Sequence, residues 1–142
     1  MELIQHEQFG RLRLKDFAPD TTEIFELEDW EYLERLWIGE AIGFTEWLCP
    51  VEKPDVLGAL SLDLSDLADE MSQKIFGVLQ LPLSRGMKYN QVVGVLGEPT
   101  HSHQFVEDRT TYDFRCGSKW GYEIGCTIRN DNGLSYVTVV AR

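Results

Sequence analysis

The sequence predicts an α+β fold in which helices pack on one face of an antiparallel β-meander. The first observation behind this is the stretch 86–100, where Tyr89, Val92, Val93 and Leu96 fall at i, i+3, i+4 and i+7, the spacing of one buried helical face. Gly97 stands where a left-handed residue is expected to end that helix, and Pro99 cannot continue it. The second observation is the change to a period of two after Thr100, which marks strands joined by hairpins. The third is size: 142 residues, 43% of them hydrophobic. A chain of that length buries roughly 68% of its unfolded surface and needs no disulfide or metal to fold. Residues 1–142 are therefore read as one domain.

In chain order, residues 2–17 alternate in part, and Leu12, Leu14 and Phe17 on one strand could face a core. Ala18-Pro19-Asp20 is a turn. Glu28 and Asp29 precede Trp30, Leu33, Leu36 and Trp37, which predicts a helix with acids at its N-terminal end and Gly39 at its stop. Residues 41–48 alternate and carry aromatics, as a strand does, and the two prolines of 49–54 make a loop. Ser65 is the expected N-cap of the next helix, with Leu67, Met71, Ile75, Val78 and Leu79 as its inner face. Four strands then follow, at 101–106, 110–116, 122–129 and 134–140. Glu107-Asp108 and Asn130-Asp131-Asn132-Gly133 are turns between them.

Charge is unevenly spread. The net charge is -11, yet residues 20–70 hold 15 acidic against 2 basic residues, and the rest of the chain 9 against 11. Such a field argues against nucleic acid and against an anionic membrane as partners. It suits a basic protein, which it could steer, although acidity also serves solubility. Glu28, Glu31, Glu34 and Glu40 could form the acidic rim of a partner-binding surface, with Trp30 or Tyr32 as the anchor. The bland alternative is a solvated face beside core aromatics. No secretory signal is visible after Met1, and no apolar run reaches membrane-spanning length. Cys49, Cys116 and Cys126 are odd in number and lack C-x-x-C spacing, as expected of free thiols in a cytoplasmic protein.

His101-Ser102-His103 places two imidazoles on one face of a strand. A metal site would need further ligands, and the nearest acids in sequence, Glu107 and Asp108, sit in the turn. No metal and no cofactor is expected. No nucleophile–base signature, phosphate loop or dinucleotide fingerprint is present, so the chain is read as non-enzymatic. A small enzyme or a metal- or ligand-binding domain using His101 and His103 is the alternative.

The run Gly86, Met87, Gln91, Val92, Leu96, Gly97 and Pro99, followed by a meander, resembles the SmpA/OmlA family, also called BamE. It is similar too to the repeats of the β-lactamase inhibitor protein fold. The resemblance covers residues 80–142 and leaves 1–79 as an added acidic half. It implies two short helices across an antiparallel sheet, and protein binding as the role. Bacterial immunity proteins, which neutralise toxins inside the cell, are often small, acidic and cytoplasmic, and the chain resembles them in these respects. Lys88 stands where that family commonly has a capping Ser or Thr, and it cannot cap.

Overall fold

The computed structural model describes residues 2–27, 31–38, 41–50, 52–53 and 55–142; of 25–27, 31–38 and 41–44 the backbone alone is described. The chain runs α1 (His6–Gly10), a 3₁₀ turn (Leu14–Asp16), then β1 (Thr22–Leu27), β2 (Glu31–Ile38), β3 (Ala41–Pro50) and β4 (Ala59–Asp63). It continues with α2 (Asp69–Leu79), α3 (Tyr89–Leu96), β5 (His101–Val106), β6 (Arg109–Cys116), β7 (Tyr122–Arg129) and β8 (Gly133–Ala141). All eight strands form one antiparallel sheet in the order β1-β2-β3-β4-β8-β7-β6-β5. The fold is α+β, as expected.

That order reveals a pattern the sequence reading missed. Two short helical elements followed by a four-stranded meander occur twice, and the last strand of each half, β4 or β8, pairs with the other at the centre. The second unit begins at α2, eleven residues before the segment at 80–142 that the family resemblance covers.

Strand alternation divides the sheet into a covered and an uncovered face. Trp47, Leu60, Val139, Ile124 and Phe114 are neighbours in register across five strands and are all fully buried. Leu62, Val137 and Cys126 make a second buried row beside them. The helical segments lie against this face: Phe9 packs edge-on to Tyr122, Phe17 against Trp47, and Tyr89 against Tyr112. The Tyr122 hydroxyl donates to the Ile4 carbonyl at 2.6 Å, tying the N-terminus down. Removing a side chain such as Ile124 from such a row typically costs about 2–5 kcal/mol.

α3 forms where expected, with Val92 and Leu96 buried and Tyr89 and Val93 half-buried. Gly97 ends it with φ 86° and ψ -165°, a conformation beyond the left-handed helical region but still one that glycine alone adopts readily. The other motif residues anchor the helix. Gln91 reaches back to accept from the Lys88 amide at 2.8 Å, half of a capping box, so the N-terminus is closed without a capping side chain at Lys88. The Gly86 amide donates to the Leu134 carbonyl and the Leu134 amide to that of Met87, which pins the chain before α3 onto β8.

Four expectations need correction. Residues 2–17 are not a strand: Phe9 and Leu14 are buried from α1 and from the 3₁₀ turn, and the short alternation around Leu12 reflects i→i+3 bonding. Residues 31–37 of the expected helix form strand β2, paired on both sides; Trp30 and the expected stop at Gly39 lie outside the described residues. A bulge between Arg35 and Trp37 resets the alternation, so apolar residues fall three and four apart without a helix. Ser65 is not an N-cap. It lies in the turn after β4, its amide donating to Asp63, and α2 starts at Asp69. This later start buries Ile75, Phe76 and Leu79 and leaves Val78 exposed. The loop expected from Cys49 begins two residues later, since β3 runs through Pro50. Strands β5–β8 match their expected spans to within one residue.

Candidate functional site

The uncovered face of the C-terminal half collects the polar chemistry. One row of register neighbours runs Glu46, Ser61, Thr138, Gly125, Asp113 and His101 across six strands. A parallel row runs Asp63, Tyr136, Thr127, Thr111 and His103. His101, His103 and Phe105 form a ladder along edge strand β5, with centroids 6.4 and 6.1 Å apart and planes within 9° of parallel.

His103 Nε2 is 2.9 Å from Asp113 Oδ2. A carboxylate only accepts, so the ring hydrogen sits on Nε2 and Asp113 fixes the ring's orientation. Asp113 was not among the residues singled out in sequence. An unbulged two-residue hairpin would pair it with Ser102, on the opposite face from the histidines. A bulge between His103 and Val106 shifts the register by one and pairs Asp113 with His101 instead. Gly125 makes room for it: a Cβ there would lie 3.5 Å from Asp113 Oδ1 and 2.5 Å from Thr138 Oγ1.

Beside the ladder lies an open groove of about 330 Å³. His103 and Phe105 line one side, Asp63 and Tyr136 the other, and Arg109 and Arg129 lie between them. Thr111 and Thr127 bond to each other across its floor at 2.8 Å. Arg109 and Arg129 are direct cross-strand neighbours, so two like charges stand side by side. Asp108 grips Arg109 through two bonds, of 2.8 and 3.2 Å, and this ion pair holds the Asp108 carboxyl below its ordinary pKa. Arg129 has no ion pair among the described residues, and its buried Nε lacks a hydrogen-bond acceptor. Phe105 is 91% exposed and Val106 half exposed at the rim.

The acidic residues and aromatics expected to bind a partner belong to the other half. Glu28, Trp30 and Glu40 lie outside the described residues. Glu31, Tyr32 and Glu34 fall on β2, in register with Pro50, Cys49 and Trp47. Among the described residues no group of three or more His, Cys, Asp and Glu is placed to hold a metal ion. No helix there is long and apolar enough to cross a membrane. Cys49, Cys116 and Cys126 are buried, and Cys116 and Cys126 are free thiols. Cys116 and Cys126 share the covered face but stand in register with Tyr122 and Tyr112, not with each other. Burial pushes the Cys126 thiol up to about 12 and the Tyr122 hydroxyl likewise, so neither ionises near neutrality. Comparisons with protein-family models, curated proteins and solved structures give no match, and the site is read from its own chemistry.

Proposed function

We propose that this protein is a non-enzymatic binding module, a cytoplasmic immunity-type inhibitor that neutralises a basic toxin or enzyme, and that the target seats on the uncovered sheet face. Phe105 carries the reading. A phenylalanine 91% exposed, stacked on His103 at the rim of a polar groove, leaves a large apolar surface in water. Interfaces draw their anchors from such residues. The acidic half, 15 acids to 2 bases, supplies a field that draws in a basic target. The twofold helix–meander order supports kinship with the SmpA/OmlA and β-lactamase inhibitor protein folds, whose associated roles are protein binding. Phe105 is the anchor proposed on this face, in place of Trp30 or Tyr32: Trp30 lies outside the described residues, and the backbone register puts Tyr32 opposite Cys49.

The test is kinetic, on the partner recovered from the source cell. Association slows as salt rises, and more so once Glu28, Glu31, Glu34 and Glu40 are changed to Gln, whereas Phe105→Ala mainly speeds dissociation. An on-rate indifferent to both salt and the four substitutions would make the acidity a solubility feature only. A second reading, a small enzyme or a metal- or ligand-binding domain, has the oriented His103–Asp113 pair behind it. Turnover or bound zinc that is lost in His103→Ala would favour it.

A further inference from the structure

We infer that the groove beneath Phe105 receives a single carboxylate from the protein partner, seated on the Arg129 guanidinium and flanked by an apolar group on Phe105. The inference rests on the binding reading of this face and names the chemistry the partner must bring. Three observations carry it.

The first is charge. Arg109 and Arg129 are direct register neighbours on the same face, an arrangement that is unfavourable unless an anion lies between or beside them. Asp108 supplies that anion to Arg109 through a two-point bond. Arg129 makes no such bond among the described residues and feels the Asp108 charge only at longer range, and its Nε–H is buried without an acceptor. Arg129 is half-buried, and its guanidinium carries a positive charge that no ion pair among the described residues neutralises and that an incoming anion can meet.

The second is the opposite wall. Asp63 lines the groove and is itself held in place by accepting the Ser65 amide at 2.9 Å. Its charge limits the anion the groove tolerates. A carboxylate carries one charge and can turn both oxygens to one guanidinium. A phosphate dianion would meet Asp63 with twice the repulsion.

The third is the surround. Phe105 and Val106 are exposed at the rim, and Tyr136 lines the far side. The groove is open and not enclosed, which suits a side chain carried on another protein more than a small molecule that must be mostly buried to bind. The partner is then of mixed character: basic where it meets the acidic half, acidic at the one point that enters the groove.

The groove can be read without the partner. The probe is a blocked tripeptide with glutamate between two phenylalanines, titrated into the whole protein while the backbone amide signals of Thr127 and Tyr136 are followed. A saturable shift with millimolar affinity is expected (about 4 kcal/mol of binding). It should weaken at least tenfold with glutamine in place of glutamate, and at least tenfold in Arg129→Gln. Arg129→Lys, which keeps the charge, should lose less. Phe105→Ala, at an exposed position that leaves the fold untouched, should weaken it several-fold. No saturable shift, equal binding of the glutamine peptide, or inorganic phosphate binding as tightly as the peptide would each overturn the inference. A positive titration without a recoverable partner would leave the groove assigned and the inhibitor reading in question; a partner bound equally well by Arg129→Gln would do the reverse.

Discussion

Gly125→Ala is the substitution that the geometry of the uncovered face judges most severely. The new methyl would lie 2.5 Å from Thr138 Oγ1 and 3.5 Å from Asp113 Oδ1. The first separation is far inside contact, so Thr138 must turn or the strands must part. Overpacking of this kind costs about 1–3 kcal/mol. At this chain length that lowers the thermal midpoint by about 3–12 °C, taking roughly 3–4 °C per kcal/mol. The backbone term has the opposite sign, since replacing a strand glycine by alanine gains about 0.5–1 kcal/mol where space allows. The same substitution in a Thr138→Ala background therefore separates the two. With the hydroxyl gone, the alanine should be neutral or stabilising relative to Thr138→Ala alone. Thermal unfolding followed by circular dichroism on the four proteins closes the cycle. A midpoint that rises in Gly125→Ala, or an equal loss in both backgrounds, would refute the claim that Gly125 is there to let Thr138 and Asp113 close over it.

Other outcomes follow from the same structure. Gly97→Val should cost about 1–3 kcal/mol, because φ 86° with ψ -165° is closed to a β-branched residue, and an unchanged unfolding midpoint would argue against the motif reading. Tyr122→Phe should cost about 1–3 kcal/mol at neutral pH, since the Ile4 carbonyl loses its donor. Tyr122 and Cys126 are both pushed up to about 12 when folded, from ordinary values of 10.0 and 9.0. Their contribution is fully present below about pH 9 and is lost as pH rises toward 12, so the midpoint should fall across that range. Tyr122→Phe should flatten the upper part of this fall, and an alkaline profile unaltered by the substitution would count against its buried hydroxyl. Metal analysis of the purified protein should find no stoichiometric zinc, and changing His101 and His103 together to Ala should leave stability nearly intact; one zinc per chain, lost in that double variant, would overturn the non-enzymatic reading.

How legible the molecule was depended on how local each signal is. Strands β5–β8 and helix α3 could be read because their periodic stretches are long enough to show despite local bulges, and their turns carry Gly, Asn and Asp. β2 could not, because its bulge at Arg35–Trp37 mimics helical spacing and its pairing with β1 and β3 is a tertiary fact. The repeat of helix pair and meander is invisible in sequence, since the two halves share an order of elements and not a residue pattern. At the site, alternation alone put His101 and His103 on one face. Asp113 joins them only through a register shift of one residue. Arg129 emerges only when the β6–β7 pairing sets it beside Arg109. Charge counting drew attention to the acidic half, while Arg129, a cation without an ion pair among the described residues, sits in the half whose charges nearly cancel.

Hydroxyl-radical footprinting of the protein, free and bound to its recovered partner, tests most directly whether the uncovered face is the binding surface. Phe105, 91% exposed in the free protein, should be oxidised readily alone and protected several-fold in the complex, with Tyr136 following it. Phe105 oxidised equally in both states, with protection instead on the covered side at residues such as Met71 or Trp120, would contradict the account.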